Sequence, residues 1–326
     1  MRKQTRYTLL AVLIAVAALA VVLYLRQKAP PEAARLLPES DAIVYVSLKP
    51  LRAATHFDRT PITRSPDFQK FIDATGIVPE RDLDAAAFAL HRMPDPHGPN
   101  GPVAFSEVFE GRFDGQRLAA YLNTLSNGKQ ETYAGHTIYT IPIEGRTLRI
   151  AQLGYDTIAA SNMPTTEQIH AMLDRERTQA SPFAGSSLLS ARYADVPLLS
   201  SAWAIGHIGL PFAPDSPDAN PNRINLAGME LPFTLDTDFV ASLRFTTALH
   251  LRIEEIAPSE ADAAHSAEQL TTILQFLKTL EQAQQTSPGI VQATESVKIE
   301  AHKDRAILTA NLPLDTIKTI MAPDQR

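Results

Sequence analysis

The first hydrophobic pattern in the chain is a block. From Tyr7 to Leu25 no residue is charged and nearly all are apolar (YTLLAVLIAVAALAVVLYL), with Arg2, Lys3 and Arg6 before the run and Arg26 and Lys28 after it. At about 1.5 Å per residue, roughly 18 helical residues cover the ~30 Å hydrocarbon core of a bilayer. The pattern then becomes two-fold. Residues 41–51 predict a strand with Ile43, Tyr45 and Ser47 on one face and Val44, Val46 and Leu48 on the other. Pro66 opens a short helix through Phe68, Phe71 and Ile72 that Gly76 and Pro79 stop. Residues 84–93 and 102–113 read as strands, separated by a turn dense in Pro and Gly (HRMPDPHGPNGP, 91–102). Asp114 then caps a helix whose Leu118, Tyr121, Leu122 and Leu125 share a face, and Asn127-Gly128 ends it. Strands at 136–143 and 147–160 are joined by Glu144-Gly145-Arg146. A further helix starts at Thr165, with Gln168 at capping-box spacing and Ile169, Met172 and Leu173 as its apolar stripe.

The order of elements then recurs. Residues 196–209 predict a strand, and 239–247 and 248–256 a pair of strands. Residues 259–285 form a long helix with Ala267, Leu270, Ile273, Leu274, Leu277 and Leu280 in its stripe, followed by a hairpin at 297–302 and 305–312 and a short helix at 315–321. Each half reads strand, strand–strand–helix, strand–strand–helix, as an internal duplication would. The predicted class is α+β, with antiparallel sheets, helices packed on one face and two similar lobes, preceded by one transmembrane helix. The predicted divisions are 1–28 (cytoplasmic tail and signal anchor), 29–39 (linker), 40–195 (first lobe) and 196–326 (second lobe), with an aperiodic Pro/Asn-rich loop at 210–232.

Composition narrows the setting. Beyond the anchor nearly 300 of the 326 residues remain, enough for a substantial core. The net charge of −6 offers no basic surface for nucleic acid. The absence of cysteine excludes disulfides, thiol catalysis and a lipid-modified cysteine. The apolar run is longer than the core of a cleaved signal, and its A-x-A, Ala18-Leu19-Ala20, lies inside it, so an uncleaved anchor is expected, with a cleaved signal as the alternative. A six-residue basic tail before the span predicts a cytoplasmic N-terminus and a C-terminal domain outside the cytoplasmic membrane.

The step Leu36-Leu37-Pro38-Glu39-Ser40-Asp41-Ala42-Ile43-Val44-Tyr45-Val46 after an N-terminal anchor, with strand–strand–helix units such as 105–125, resembles an uncharacterised family of bacterial envelope proteins, a domain of unknown function. The resemblance could span most of residues 36–321. It implies architecture and location, and carries over no catalytic residues.

No G-x-S-x-G elbow, H-E-x-x-H, P-loop or G-x-G-x-x-G occurs. His91 and His97 with Asp95 between them, and His136 elsewhere, are candidate metal ligands weighed against a solvated loop. Asp236 and Asp238, near Asp215 and Asp218, could supply oxygens to calcium, but without the spacing of a calcium loop. Ser186-Ser187 after Gly185, with His207 four residues past Trp203, are the ingredients of a serine hydrolase without its nucleophile turn. The charge run Asp174, Arg175, Glu176, Arg177 reads as a solvated helix face. No catalytic, cofactor-binding or metal-binding residue is assigned from the sequence, and no cofactor is expected. The leading expectation is a membrane-tethered module that binds a protein or other envelope component. The alternatives are an unrecognised hydrolase, or a binder of lipid or another small apolar ligand in a cleft between the lobes.

Overall fold

Most strands carry apolar residues on both sides, and the architecture follows from covering both. In the computed structural model, residues 29–59, 64–98, 101–143, 145–178, 184–207, 224–226, 229–231, 237–246, 248–284 and 288–313 are described. The strands are β1 (Ala42–Ser47), β2 (Leu83–Arg92), β3 (Val103–Gly111), β4 (Gln130–Tyr133), β5 (His136–Ile143), β6 (Arg146–Leu153), β7 (Thr157–Ser161), β8 (Ala202–His207), β9 (Ile224–Leu226), β10 (Met229–Leu231), β11 (Asp238–Phe245), β12 (Ala248–Ile256), β13 (Lys298–His302) and β14 (Arg305–Pro313). Twelve of them join into one antiparallel sheet, in the order β13-β14-β12-β11-β8-β1-β2-β3-β7-β6-β5-β4, while β9 and β10 pair separately.

The two halves meet at β1 and β8, which pair antiparallel with Ile43 opposite Ile205 and Tyr45 opposite Trp203. Outward from that pair the first half runs β1, β2, β3, β7, β6 and the second β8, β11, β12, β14, β13. In each, a hairpin follows the central strand, and the last strand returns to pair with the hairpin's second strand. Strands β4 and β5 extend the first half. The hairpins predicted from sequence therefore unite in a single sheet. A Cβ on Gly206 would lie 2.6 Å from the Cβ of Ala42, so only glycine fits opposite that residue at the junction.

The helices are α1 (Glu32–Leu36), α2 (Leu48–Thr55), α3 (Pro66–Thr75), α4 (Gly115–Leu125), α5 (Glu167–Arg177), α6 (Ser187–Arg192), α7 (Glu260–Gln284) and α8 (Pro288–Glu295). They do not pack on one face, as expected from sequence, but on both. Ala33, Leu36, Ile169, Leu173 and Leu189 of α1, α5 and α6 join the cluster built on Ile43, Tyr45, Val108, Trp203 and Val240. Leu118 and Leu122 of α4 pack with Phe71 of α3 over Ile141, Ile150 and Ile158, which point the other way. On that second face α7 covers β13 and β14 and donates a hydrogen bond from Ser266 Oγ to Glu255 of β12. The physical reason is that β2 and β7 carry alanines on both faces (Ala85 and Ala86, Ala159 and Ala160, all buried), so neither face is left polar.

Several boundaries follow from caps. Asp114 accepts from the amides of Gln116 and Arg117 at 3.1 Å, and Ser65 from Phe68 at 3.3 Å, with Gly76 left-handed at φ 74°. The capping box at Thr165 does not form: α5 begins at Glu167 after Thr166, without a side-chain cap. The segment expected as one strand over 147–160 turns back at Gly154-Tyr155-Asp156, with Gly154 at φ 66°, giving β6 and β7. The expected linker 29–39 is also corrected. Its Ala33, Ala34, Leu36 and Leu37 are buried, because small and aliphatic residues seat α1 against the alanine-rich sheet. No described helix is long and apolar enough to cross a membrane. The predicted anchor at 1–28, most of the 210–232 loop and the final helix at 315–321 lie outside the described residues.

Candidate functional site

Alternation in β1 and β8 determines what lies at the junction. Tyr45 and Trp203 occupy opposed positions on the same face, and their rings stack with centroids 5.5 Å apart. Tyr193, just past α6, meets the Trp203 ring edge-on at 5.3 Å. These aromatics, with Leu189 and Phe245, line a cavity of about 980 Å³. Its walls come from both halves: the Pro30-Pro31 step, β1 and residues 184–195 of the first, and residues 196–201, β8 and β11 of the second.

Several of the cavity's polar groups are engaged. Asp195 accepts from Arg305 Nη2 at 2.8 Å, and Arg305 also reaches the buried Glu254 at 2.9 Å. Ser200 Oγ donates to the Pro197 carbonyl at 2.6 Å, and the Ser47 amide donates to the Ser201 carbonyl at 2.7 Å. Burial, with the Glu110 charge adding to it, pushes the Tyr45 phenol up to about 12, and burial raises Tyr193 as well. Both hydroxyls are therefore neutral at physiological pH, and the aromatic floor is uncharged. Glu110 of β3 lies on the same sheet face as Tyr45, its carboxyl raised chiefly by burial while the Ala33 amide donates to it at 2.6 Å. The surface is thus mixed, with aromatic and aliphatic side chains beside serine and tyrosine hydroxyls. That suits an amphiphilic molecule better than an ion.

Among the described residues, those singled out from sequence are held in separate contacts. Among the described residues no group of three His, Asp or Glu side chains is placed to hold a metal. His91 is buried and bonds Ser106 Oγ at 2.9 Å, and burial lowers its pKa, so it is a neutral core histidine. His97 is exposed in the turn, its amide bonded to Asp95 at 3.2 Å. His136 lies elsewhere, against the Gln152 carbonyl at 3.0 Å. Asp215, Asp218 and Asp236 fall outside the described residues, and Asp238 is bound by Arg192 and by His207 Nδ1 at 2.5 Å. Ser186 caps α6 through the Leu189 amide. Ser187 donates to Glu39 Oε2 at 2.6 Å, so it faces a carboxylate. Burial acts against Glu39, but Ser187 and Arg175 outweigh it and hold the carboxyl below its usual range. Arg175 thus belongs to a tertiary contact, reaching Glu39 at 2.7 Å as well as the Leu37 carbonyl. Of the described candidates only Trp203 lines the cavity. Tyr45 and Tyr193 had no such signal in sequence, since an aromatic in a strand or short helix reads as core.

No family model matches the chain, and no curated protein matches it significantly. The structure is similar to that of TP0453 in several crystal forms. Crystal form III has 10% sequence identity and a TM-score of 0.47, over 90% of this chain and 98% of that one. Crystal form IV has 11% identity and a TM-score of 0.44, over 91% and 99%. At those values the likeness carries no functional argument.

Proposed function

We propose that the chain is a membrane-tethered, extracytoplasmic binding module that takes an amphiphilic small molecule between two duplicated halves. The observation that carries this reading is the aromatic-floored cavity of about 980 Å³ at the junction of the halves. It favours the ligand binder over the protein-docking module and the hydrolase. Among the described residues lining the cavity there is no histidine, and the one carboxylate, Asp195, is already paired with arginine. The matching strand order about β1 and β8 supports duplication, in keeping with the envelope family that the Leu36–Val46 step resembles. The tether and the orientation rest on the uncharged run from Tyr7 to Leu25 and its basic flanks.

Native mass spectrometry of the full-length chain, purified from membranes and released from detergent, tests the reading. The expected result is one amphiphile retained per chain, and none in Ala194→Phe, which places a ring in the cavity from an exposed lining position. A bare protein mass for the unmodified chain would sink it.

A further inference from the structure

The residues at the cavity's margin say where its ligand comes from, and this inference rests on the ligand-binding reading above. Pro30 and Pro31 line the cavity, and Pro30 is only five residue steps past Leu25, the end of the apolar run. Fully extended, five residues reach about 18 Å. No slack follows, because Pro31 holds an extended backbone (φ −55°, ψ 149°) and α1 is buried from Ala33 onward. A chain held in a bilayer by residues 7–25 therefore keeps this cavity at the bilayer surface.

The cavity is also lined by the turn at residues 197–200, closed by the Ser200 amide donating to the Pro197 carbonyl at 3.3 Å. Its two corners are leucines, both lining the cavity, with Leu198 48% and Leu199 81% exposed. Leu199 has φ 65°, at a corner where glycine or asparagine is usual. A strained leucine held in water contributes nothing to the fold. The same leucine beside a bilayer removes apolar surface from water. Asp195 is neutralised by Arg305, so no unpaired charge from it opposes an acyl chain entering past this turn.

We propose that the 197–200 turn inserts Leu198 and Leu199 into the leaflet next to the anchor, and that the ligand is an acyl-chain lipid drawn from that leaflet. The chain supplies its own probe. Trp203 is its only tryptophan, lies on the cavity floor and is 3% exposed. Bromine quenches tryptophan on contact. The full-length chain is reconstituted into phosphatidylcholine vesicles brominated midway along the acyl chains, and into unbrominated ones. Trp203 emission is expected to fall in the brominated vesicles and to recover in Ala194→Phe. It is also expected to recover in the double variant Leu198→Asn, Leu199→Asn, while a water-soluble brominated fatty acid still quenches that variant, which reports an intact cavity.

Quenching that persists in Ala194→Phe would reflect proximity rather than occupancy and would overturn the proposal. Quenching that persists in the double leucine variant would overturn the role of the turn. No quenching in brominated vesicles, with an amphiphile still retained in native mass spectrometry, would overturn uptake from the bilayer and leave the binding reading standing. A bare mass with no quenching would end both.

Discussion

At the scale of single residues, the chain keeps side chains where stability alone would not put them. Leu199 holds a left-handed backbone that costs a leucine about 1–2 kcal/mol, and being 81% exposed it recovers little by packing. Leu199→Gly is expected to leave stability unchanged or raise it by about 1 kcal/mol, measured by thermal unfolding. A loss of more than that would mean that the leucine packs in the fold. Glu255 is a second case. It is 4% exposed, its Oε1 accepts from Ser266, and its Oε2 has no hydrogen-bond partner among the described residues. Burial raises its pKa, so the folded state holds this proton more tightly than the unfolded chain does. Its contribution to stability is therefore best at low pH and is lost as pH rises from the ordinary carboxylate range through the raised folded value. Glu39, held low, has the opposite sign and loses its contribution as pH falls. Glu255→Gln is expected to stabilise the chain at neutral pH by about 1 kcal/mol, the lower end of the cost of an unpartnered buried polar atom. The gain should vanish at acidic pH in a comparison of unfolding against pH. An equal gain at every pH would refute the titration.

At the scale of elements, hydrophobic periodicity located most strands and the long helices: Leu249, Leu251 and Ile253 alternate in β12, and Leu118 and Leu122 share the buried face of α4. What it could not reach was tertiary. Glu32–Leu36 looks like linker in sequence because two prolines precede it and it is only five residues long, yet its alanines fit a sheet face that is itself alanine-rich. The apolar content of β1 gave no side to choose, so helices on both faces were not legible. The cavity was illegible for the same reason: Tyr45 and Trp203 are opposed only through the β1–β8 register, which joins residues far apart in the chain. That register depends on Gly206, where an added Cβ would meet Ala42 Cβ at 2.6 Å and the Asp41 carbonyl oxygen at 3.0 Å. Gly206→Ala is expected to destabilise the chain by about 1–3 kcal/mol and to weaken amphiphile retention. Unchanged unfolding would show that the two strands can part without cost.

At the scale of the whole molecule, the two halves are not separable bodies. Each contributes its first strand to the middle of one sheet, and the inward partner of β1 is β8. Residues 29–195 alone would expose the β1 edge with Ile43 and Tyr45 uncovered by the second half, and unpaired edges of that kind recruit other chains. This fragment is expected to self-associate in light scattering behind size exclusion, whereas a stable monomer would mean that the first half closes without β8.

The central position of β1 also has a mechanical meaning. The predicted anchor leads into α1 and then into β1, so any pull between membrane and folded domain enters the sheet at a strand hydrogen-bonded on both sides. Force along that strand loads both ladders in shear, many bonds at once. A strand at the rim would instead peel away one bond at a time. An anchor at residues 7–25 would thus join the sheet at the place that resists being drawn out, and tension along such a tether would be borne by the core of the domain.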